Sequence, residues 1–327
     1  MRGNKVYITS SGIIAGAKFN VGQKDFKIES EQYEYLLEHI QTRNIDRISK
    51  ITLAAALSTL LNQEDYDIEK DSDNNYGIIL GTQFSALESI HNYDMEALGK
   101  GALAVNPGLF PNTVLNSPAC QVSIQFSFAG PIYTVCNGLT SSLDAIGIGY
   151  NFVKTGLSSM VLAGGVDELT ELQTMMKSSD KYLGEAGGFL MLESEKTITE
   201  NKKLAEVVGY KSRALNQEQK VSLAETVSKL IIDTVSSGGN NFVDITNISL
   251  SSSFTVYEDN IIISDICKTI YCNGIKECLT IDWMGACGIV QADKALKYIS
   301  MNGSKNLMWA LVNIDKDKVS AAILKRV

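Results

Sequence analysis

Gly130-Pro131-Ile132-Tyr133-Thr134-Val135-Cys136-Asn137-Gly138-Leu139-Thr140-Ser141-Ser142-Leu143-Asp144-Ala145-Ile146-Gly147 is the stretch whose reading decides the fold. Ile132 to Cys136 is β-branched and aromatic, which predicts a strand. Asn137-Gly138 is turn chemistry, and from Thr140 good helix formers with apolar spacing predict a helix running to about Lys154. A strand, a tight turn and a helix N-terminus form a good seat for a nucleophile, because the helix end lowers a thiol's pKa and offers N–H groups to an anion. Yet the apex residue is Leu139, which has no lone pair to attack with.

Outward from this bend, strands and helices alternate in two similar halves. Lys5 to Thr9 reads as a strand, Glu29 to Thr42 and Asp46 to Asn62 as helices, and the acidic Asp65 to Asn75 as a loop. Tyr76 to Gly81 has the continuous apolar character of a buried strand; helices are expected over Ser85 to Leu98 and Thr113 to Phe128. Ser158 to Gly164 and Gly187 to Leu192 read as strands, and the polar Ser194 to Lys203 as the boundary, giving halves at 1–198 and 199–327. In the second half, Leu204 to Tyr210 and Val243 to Leu250 read as strands, Gln217 to Ser236 and Met284 to Ser300 as helices, and Ile261 to Thr269 fits either. Asn306 to Ile314 and Val319 to Lys325 form a hairpin across Asp315-Lys316-Asp317-Lys318. This alternation predicts layered α/β packing.

Composition narrows the function classes. A net charge of −8 argues against nonspecific nucleic-acid binding, which needs a basic face. Six scattered cysteines are read as reduced, in a cytoplasmic protein. The first seventeen residues imitate a signal peptide, but Thr9-Ser10-Ser11-Gly12 interrupts the apolar stretch and fits a first strand and turn. Lys154 breaks the best apolar run, so no membrane span is expected. The spacing of Cys267, Cys272, Cys278 and Cys287 matches no usual zinc or iron–sulfur pattern, and no metal or cofactor is expected. Gly184-Glu185-Ala186-Gly187-Gly188 lacks the Lys-Ser/Thr of a phosphate loop, and Asp167-Glu168 is expected to cap or turn a strand end.

Gly130, Pro131, Thr134, Val135, Ser141, Asp144, Ala145, Ile146 and Gly147 fit a known elbow pattern. Further motifs follow in the right order: Val105 to Ala119, Val161-Leu162-Ala163-Gly164-Gly165-Val166-Asp167-Glu168, and Leu183 to Phe189. Together, over about residues 76–193, they resemble the β-ketoacyl-[acyl carrier protein] synthases, closest to the ketosynthases and chain-length factors of type II polyketide and fatty-acid systems. The resemblance implies a thiolase-like α/β fold of two related βαβαβαββ halves in five layers, αβαβα.

It also implies a nucleophilic cysteine and two histidines, with which the family performs a decarboxylating Claisen condensation. Leu139 occupies the cysteine position, Ser251 the first histidine position and Asp282 the second; the family lysine falls on Glu277. The family's Gly-Phe-Gly-Gly loop is replaced by Asp315-Lys316-Asp317-Lys318, and the segment between Glu168 and Gly184 is shorter than in the family. The only histidines, His39 and His91, are expected on first-half helices in solvent. Cys136 is expected to be a buried strand cysteine facing away from the pocket. Thr140 and Ser141 carry hydroxyls, weak nucleophiles without a base.

Three readings follow. The first is a noncatalytic subunit similar to a chain-length factor, paired with an active ketosynthase. Ile132, Tyr133, Thr134, Val135 and Cys136 then form an interface strand, and residues from Phe110 to Phe126 line or plug a shared tunnel. The second is a homodimer that binds an acyl chain or an acyl carrier protein without chemistry. The third is an enzyme with relocated chemistry on Cys136, Ser251 or Asp282.

Overall fold

The computed structural model describes residues 4–16, 18–19, 25–63, 75–176, 180–198, 203–241, 244–302 and 307–327. The first half opens with β1 (Val6–Ala15) and the short β2 (Lys18–Phe19) and β3 (Asp25–Lys27). Helix α1 (Arg47–Leu61) starts where the Asp46 carboxylate accepts from the Ser49 N–H. Then come β4 (Tyr76–Gly81), α2 (Leu87–Lys100), α3 (Ser117–Phe126) and β5 (Ile132–Val135). The elbow leads into α4 (Ser141–Thr155), followed by β6 (Met160–Asp167), α5 (Glu171–Met176), β7 (Tyr182–Gly184) and β8 (Ala186–Ser194).

The second half runs through β9 (Ala205–Ala214), α6 (Gln217–Val221), α7 (Leu223–Ser237), β10 (Asn247–Ser252) and α8 (Val256–Ile270). It continues with β11 (Lys276–Cys278), β12 (Ile281–Asp282) and α9 (Cys287–Met301), then the hairpin β13 (Met308–Asp315) and β14 (Lys318–Lys325).

The sheet order is β11-β10-β13-β14-β9-β1-β8-β6-β4-β5. Read outward from the antiparallel β1–β9 seam, the halves repeat each other. β1-β8-β6 and β9-β14-β13 are antiparallel steps; β6-β4-β5 and β13-β10-β11 are parallel. β5 and the elbow therefore correspond to β11 and the turn before α9.

Strand alternation sorts the core into three slabs. Ile78 and Leu80 join α1 and α3 in an outer slab with Ala119 and Val122. Ile79 joins the central slab, which holds Leu143 and Ile146 of α4 and Ile289 and Leu296 of α9. The far slab packs Val227 and Ile231 of α7 and Ile266 of α8 against Leu250, Val312 and Ile323. The result is the five-layer αβαβα order expected from the resemblance. α4 is sandwiched between the two halves of this ten-stranded sheet, which explains why most of its residues are buried.

Several elements differ from expectation. Glu29 to Thr42 is not one helix but two 3-10 turns, Ser30–Gln32 and Glu34–Leu37. Gln32 closes a capping box on Glu29, and Tyr33 then leaves helical geometry at φ −137°. β1 runs past Thr9 to Ala15, because its second part continues to pair with β8 beyond a bulge at Ile8/Ser10. Ser222 splits the Gln217–Ser236 helix in two, and the expected Thr113–Phe128 helix is a 3-10 segment, Pro107–Thr113, followed by α3. The ambiguous Ile261–Thr269 lies within α8, whose start is fixed by a Thr255–Glu258 capping box. Positions 64–74 of the acidic loop, 199–202 of the boundary, 243 and 306 lie outside the described residues.

At Gly81, where β4 passes under the start of α4, a Cβ would collide with the backbone of Ser141 and Ser142. A Gly81→Ala variant should therefore lose about 1–3 kcal/mol in urea unfolding, the usual cost of overpacking.

Candidate functional site

The elbow has the geometry of an anion seat. Gly138 turns the chain at φ +67°, a conformation that favours glycine, and Leu139 follows in the short 3-10 turn before α4. The Leu139 side chain is 3% exposed and belongs to the central slab. Its backbone N–H donates to Asp315 Oδ2 at 3.0 Å. Asp315 ends β13, so a carboxylate from the second half fills the seat; its Oδ1 accepts from the Lys316 N–H at 2.7 Å. A Cβ on Gly138 would overlap this carboxylate, so the turn and its internal anion require each other.

Two polar ties lock α4 in place. The buried Asp144 carboxylate accepts from Asn137 Nδ2 and Thr140 Oγ1 (both 2.9 Å), Tyr210 Oη (2.7 Å), Lys318 Nζ and Ser320 Oγ (both 2.5 Å). The elbow is thus fastened to β9 and β14. Ser142 Oγ accepts from the Gly288 and Ile289 N–H groups, at 2.8 and 3.3 Å, so α4 caps the start of α9.

Asp167, at the end of β6, accepts from Thr82 Oγ1 (2.8 Å) and from the N–H groups of Gln83 (2.7 Å), Phe84 (2.9 Å) and Gly285 (2.7 Å). It caps the turn at the strand end, as the sequence suggested, and through Gly285 it also joins the two halves, which the sequence did not suggest. Burial pushes it up to about 6, against these hydrogen bonds. Glu168 faces Arg47 at 3.6 Å, and burial pushes it up to about 8, with Arg47 pulling the other way. Arg47 also pairs with the fully buried Glu185, inside the glycine-rich stretch that was read as no phosphate loop.

Two of the other sequence-predicted positions, Ser251 and Asp282, come together around the Cys287 thiol. Ser251 is buried at the end of β10, beside the Cys287 thiol, which burial pushes above the ordinary range. Asp282 accepts from the Met284 N–H at 2.9 Å and starts the turn before α9; the Cys287 sulfur is 4.0 Å away. Glu277 accepts from Lys294 at 2.6 Å. Thr140 Oγ1 donates to Asp144, and Ser141 Oγ donates to the Gly138 carbonyl at 2.6 Å. His91 is exposed on α2; His39, also exposed, lies on a turn after the 3-10 segments rather than on a helix. Among the described residues no group of His, Cys, Asp and Glu could hold a metal ion.

Cys136 corrects an expectation. The strand ends at Val135, the turn swings Cys136 out, and its thiol is exposed and donates to the Gln83 carbonyl at 3.4 Å. Partial desolvation, then the charge of Asp167, push the thiol up, which disfavours the thiolate.

Sequence reading did not find Lys181. It is 1% exposed and donates to Asp259 Oδ2 (2.6 Å) and the Ser252 carbonyl (2.7 Å), while the Ser252 hydroxyl also donates to Asp259. No local pattern distinguishes it from a surface lysine. The role of Asp315 was equally hidden, because its partner is 176 residues away.

The profile of the β-ketoacyl synthase N-terminal domain matches residues 10–196. The chain belongs to the β-ketoacyl synthase family. Curated relatives include a putative mitochondrial 3-oxoacyl-[acyl-carrier-protein] synthase of Schizosaccharomyces pombe, 24% identical over 42% of this chain and 33% of the relative. Another is 3-oxoacyl-[acyl-carrier-protein] synthase 2 of Vibrio cholerae, 25% identical over 56% of this chain and 49% of the relative. The matches thus span a third to a half of those relatives' length.

Solved structures share the whole fold. The ishigamide ketosynthase/chain length factor aligns at TM-score 0.80 with 16% identity, covering 99% of both chains. A ketosynthase in complex with a type II polyketide synthase acyl-carrier protein aligns at 0.80 with 15% identity over 100% of both. A β-ketoacyl synthase from Burkholderia phymatum aligns at 0.80 with 16% identity, covering 99% of this chain and 100% of its own.

Two outcomes test this geometry. Asp315→Ala would leave the Leu139 N–H without its acceptor and should cost about 1–3 kcal/mol in urea unfolding. Glu168 holds its proton to about pH 8 when folded, against an ordinary carboxyl value of 4.5 when unfolded. The unfolded chain therefore releases that proton first, and stability should fall as pH rises from about 4.5 to about 8. Urea midpoints of a Glu168→Gln variant should show a flatter dependence across that window.

Proposed function

We propose that this chain is a noncondensing ketosynthase-like subunit, similar to a chain-length factor, that pairs with an active ketosynthase in type II polyketide or fatty-acid synthesis. The observation that carries the reading is the elbow: a buried leucine at the apex, with its N–H already donating to the Asp315 carboxylate. Thioester chemistry there needs a thiolate and a free donor for the developing oxyanion. This elbow offers neither, and Ser251 and Asp282 are engaged in the packing around Cys287 and the turn before α9.

The two edges of the sheet support a partner on one side. β11 reads Lys276-Glu277-Cys278, and edge charges discourage pairing. β5 reads Ile132-Tyr133-Thr134-Val135, carries no charge, and among the described residues pairs as a strand only with β4. Ile132 is 36% and Tyr133 54% exposed, and Phe110, Leu115 and Ile124 are also exposed. An uncharged strand edge of this kind suits strand addition from a related subunit. The same edge fits a second copy of the chain, with the elbow again idle.

Co-expression with a ketosynthase that retains its cysteine and both histidines is the test. The expected product is a one-to-one complex that survives gel filtration at moderate salt and is lost on Thr134→Pro, which removes an edge donor. A chain that stays apart from every such ketosynthase, or a complex indifferent to Thr134→Pro, would contradict the proposal; a Thr134→Pro-sensitive homodimer alone would favour the second-copy arrangement.

A further inference from the structure

At the far end of α4 lies a cleft that the elbow chemistry does not use. α4 has 15 residues, so this end is about 20 Å from Leu139. The cleft has a volume of about 570 Å³, within the range of small-molecule sites. Its lining brings together Lys5 from the chain entering β1, Lys154 from the last turn of α4 and Lys325 from the end of β14. Among the described residues, Glu206 of β9 is its only lining carboxylate.

In a chain of net charge −8, three ammonium groups facing one carboxylate is a local reversal of sign. Internal partners leave the lysines with donors to spare. Lys154 donates to the neutral Tyr150 hydroxyl at 2.6 Å, and Lys325 to Asn240 Oδ1 at 2.8 Å. Lys5 stands 3.8 Å from Glu206 and is more than half exposed. An ammonium has three N–H groups, so Lys154 and Lys325 each keep two.

Helix-end charges do not account for the cluster. The last carbonyls of α7 already accept from the N–H groups of Gly238, Gly239 and Asn240, and those of α4 from Gly156 and Leu157. Lys5 precedes β1 and Lys325 ends β14, so neither sits at a helix end. Behind the ammonium groups, Val6, Val207 and Val208 are almost fully buried and give the cleft an apolar floor.

We infer that this cleft binds a compact, multiply charged anion of the phosphate class, held by Lys5, Lys154 and Lys325. A phosphate group accepts several charge-assisted hydrogen bonds at once, which matches ammonium groups converging from separate elements. The apolar floor has room for a small organic part of a phosphate ester.

Inorganic pyrophosphate is the probe, titrated by isothermal calorimetry into the whole chain at low ionic strength. Saturable binding is expected, weakening as salt rises. Lys154→Gln/Lys325→Gln should weaken it about tenfold or more, whereas Lys229→Gln/Lys268→Gln, outside the cleft lining, should leave it unchanged. Glu206→Gln removes the opposing carboxylate and should tighten binding several-fold, a gain that a folding defect cannot mimic. No saturable binding up to about 10 mM, roughly the weakest affinity three such contacts would give, would overturn the inference. So would equal affinities in the Lys154/Lys325 and Lys229/Lys268 pairs, or no gain from Glu206→Gln.

Discussion

The hydrogen bond from the Leu139 N–H to the Asp315 carboxylate joins the two halves at the point where the fold concentrates chemical potential. A strand-to-helix bend exposes N–H groups that must find acceptors. In a site open to ligand the acceptor can come from outside. Here it comes from the end of β13, delivered by the hairpin that closes the second half. Gly138 is what lets the carboxylate approach, and Asp144 keeps the bend in register with β9 and β14. The elbow is consequently a rigid junction, with an apolar apex below and an internal anion above.

The internal repeat makes that junction possible. Because β1-β8-β6-β4-β5 and β9-β14-β13-β10-β11 are equivalent, α4 and α9 meet between the two halves of the sheet with their N-termini in equivalent positions. Ser142 caps α9, and Asp167 collects N–H groups from both sides of the seam. The repeat also sets up two edges of the same kind. The charges of β11 protect one, and the uncharged β5 leaves the other suited to a neighbour.

Most of this architecture was legible in the sequence. The apolar run of β4, the turn residues before α4 and the hairpin at Asp315–Lys318 all carry local signals that tertiary packing then reinforced. Local signals failed where pairing or capping decided the outcome: β1 was lengthened by β8, and Glu29–Thr42 was broken by its own capping box. At the site, Leu139 was readable because it replaces a residue at a patterned position. Asp315 and Lys181 were not, because an ion's meaning depends on partners far away in the chain. Cys136 was misplaced for a smaller reason, a strand that stops one residue early.

The central claim is that the elbow forms no acyl-enzyme. Its most direct test is intact-protein mass spectrometry of the purified chain after incubation with an acyl-[acyl carrier protein] thioester. The account predicts an unchanged mass. A stoichiometric acyl adduct mapping to Cys136, Ser251 or Asp282 would contradict it.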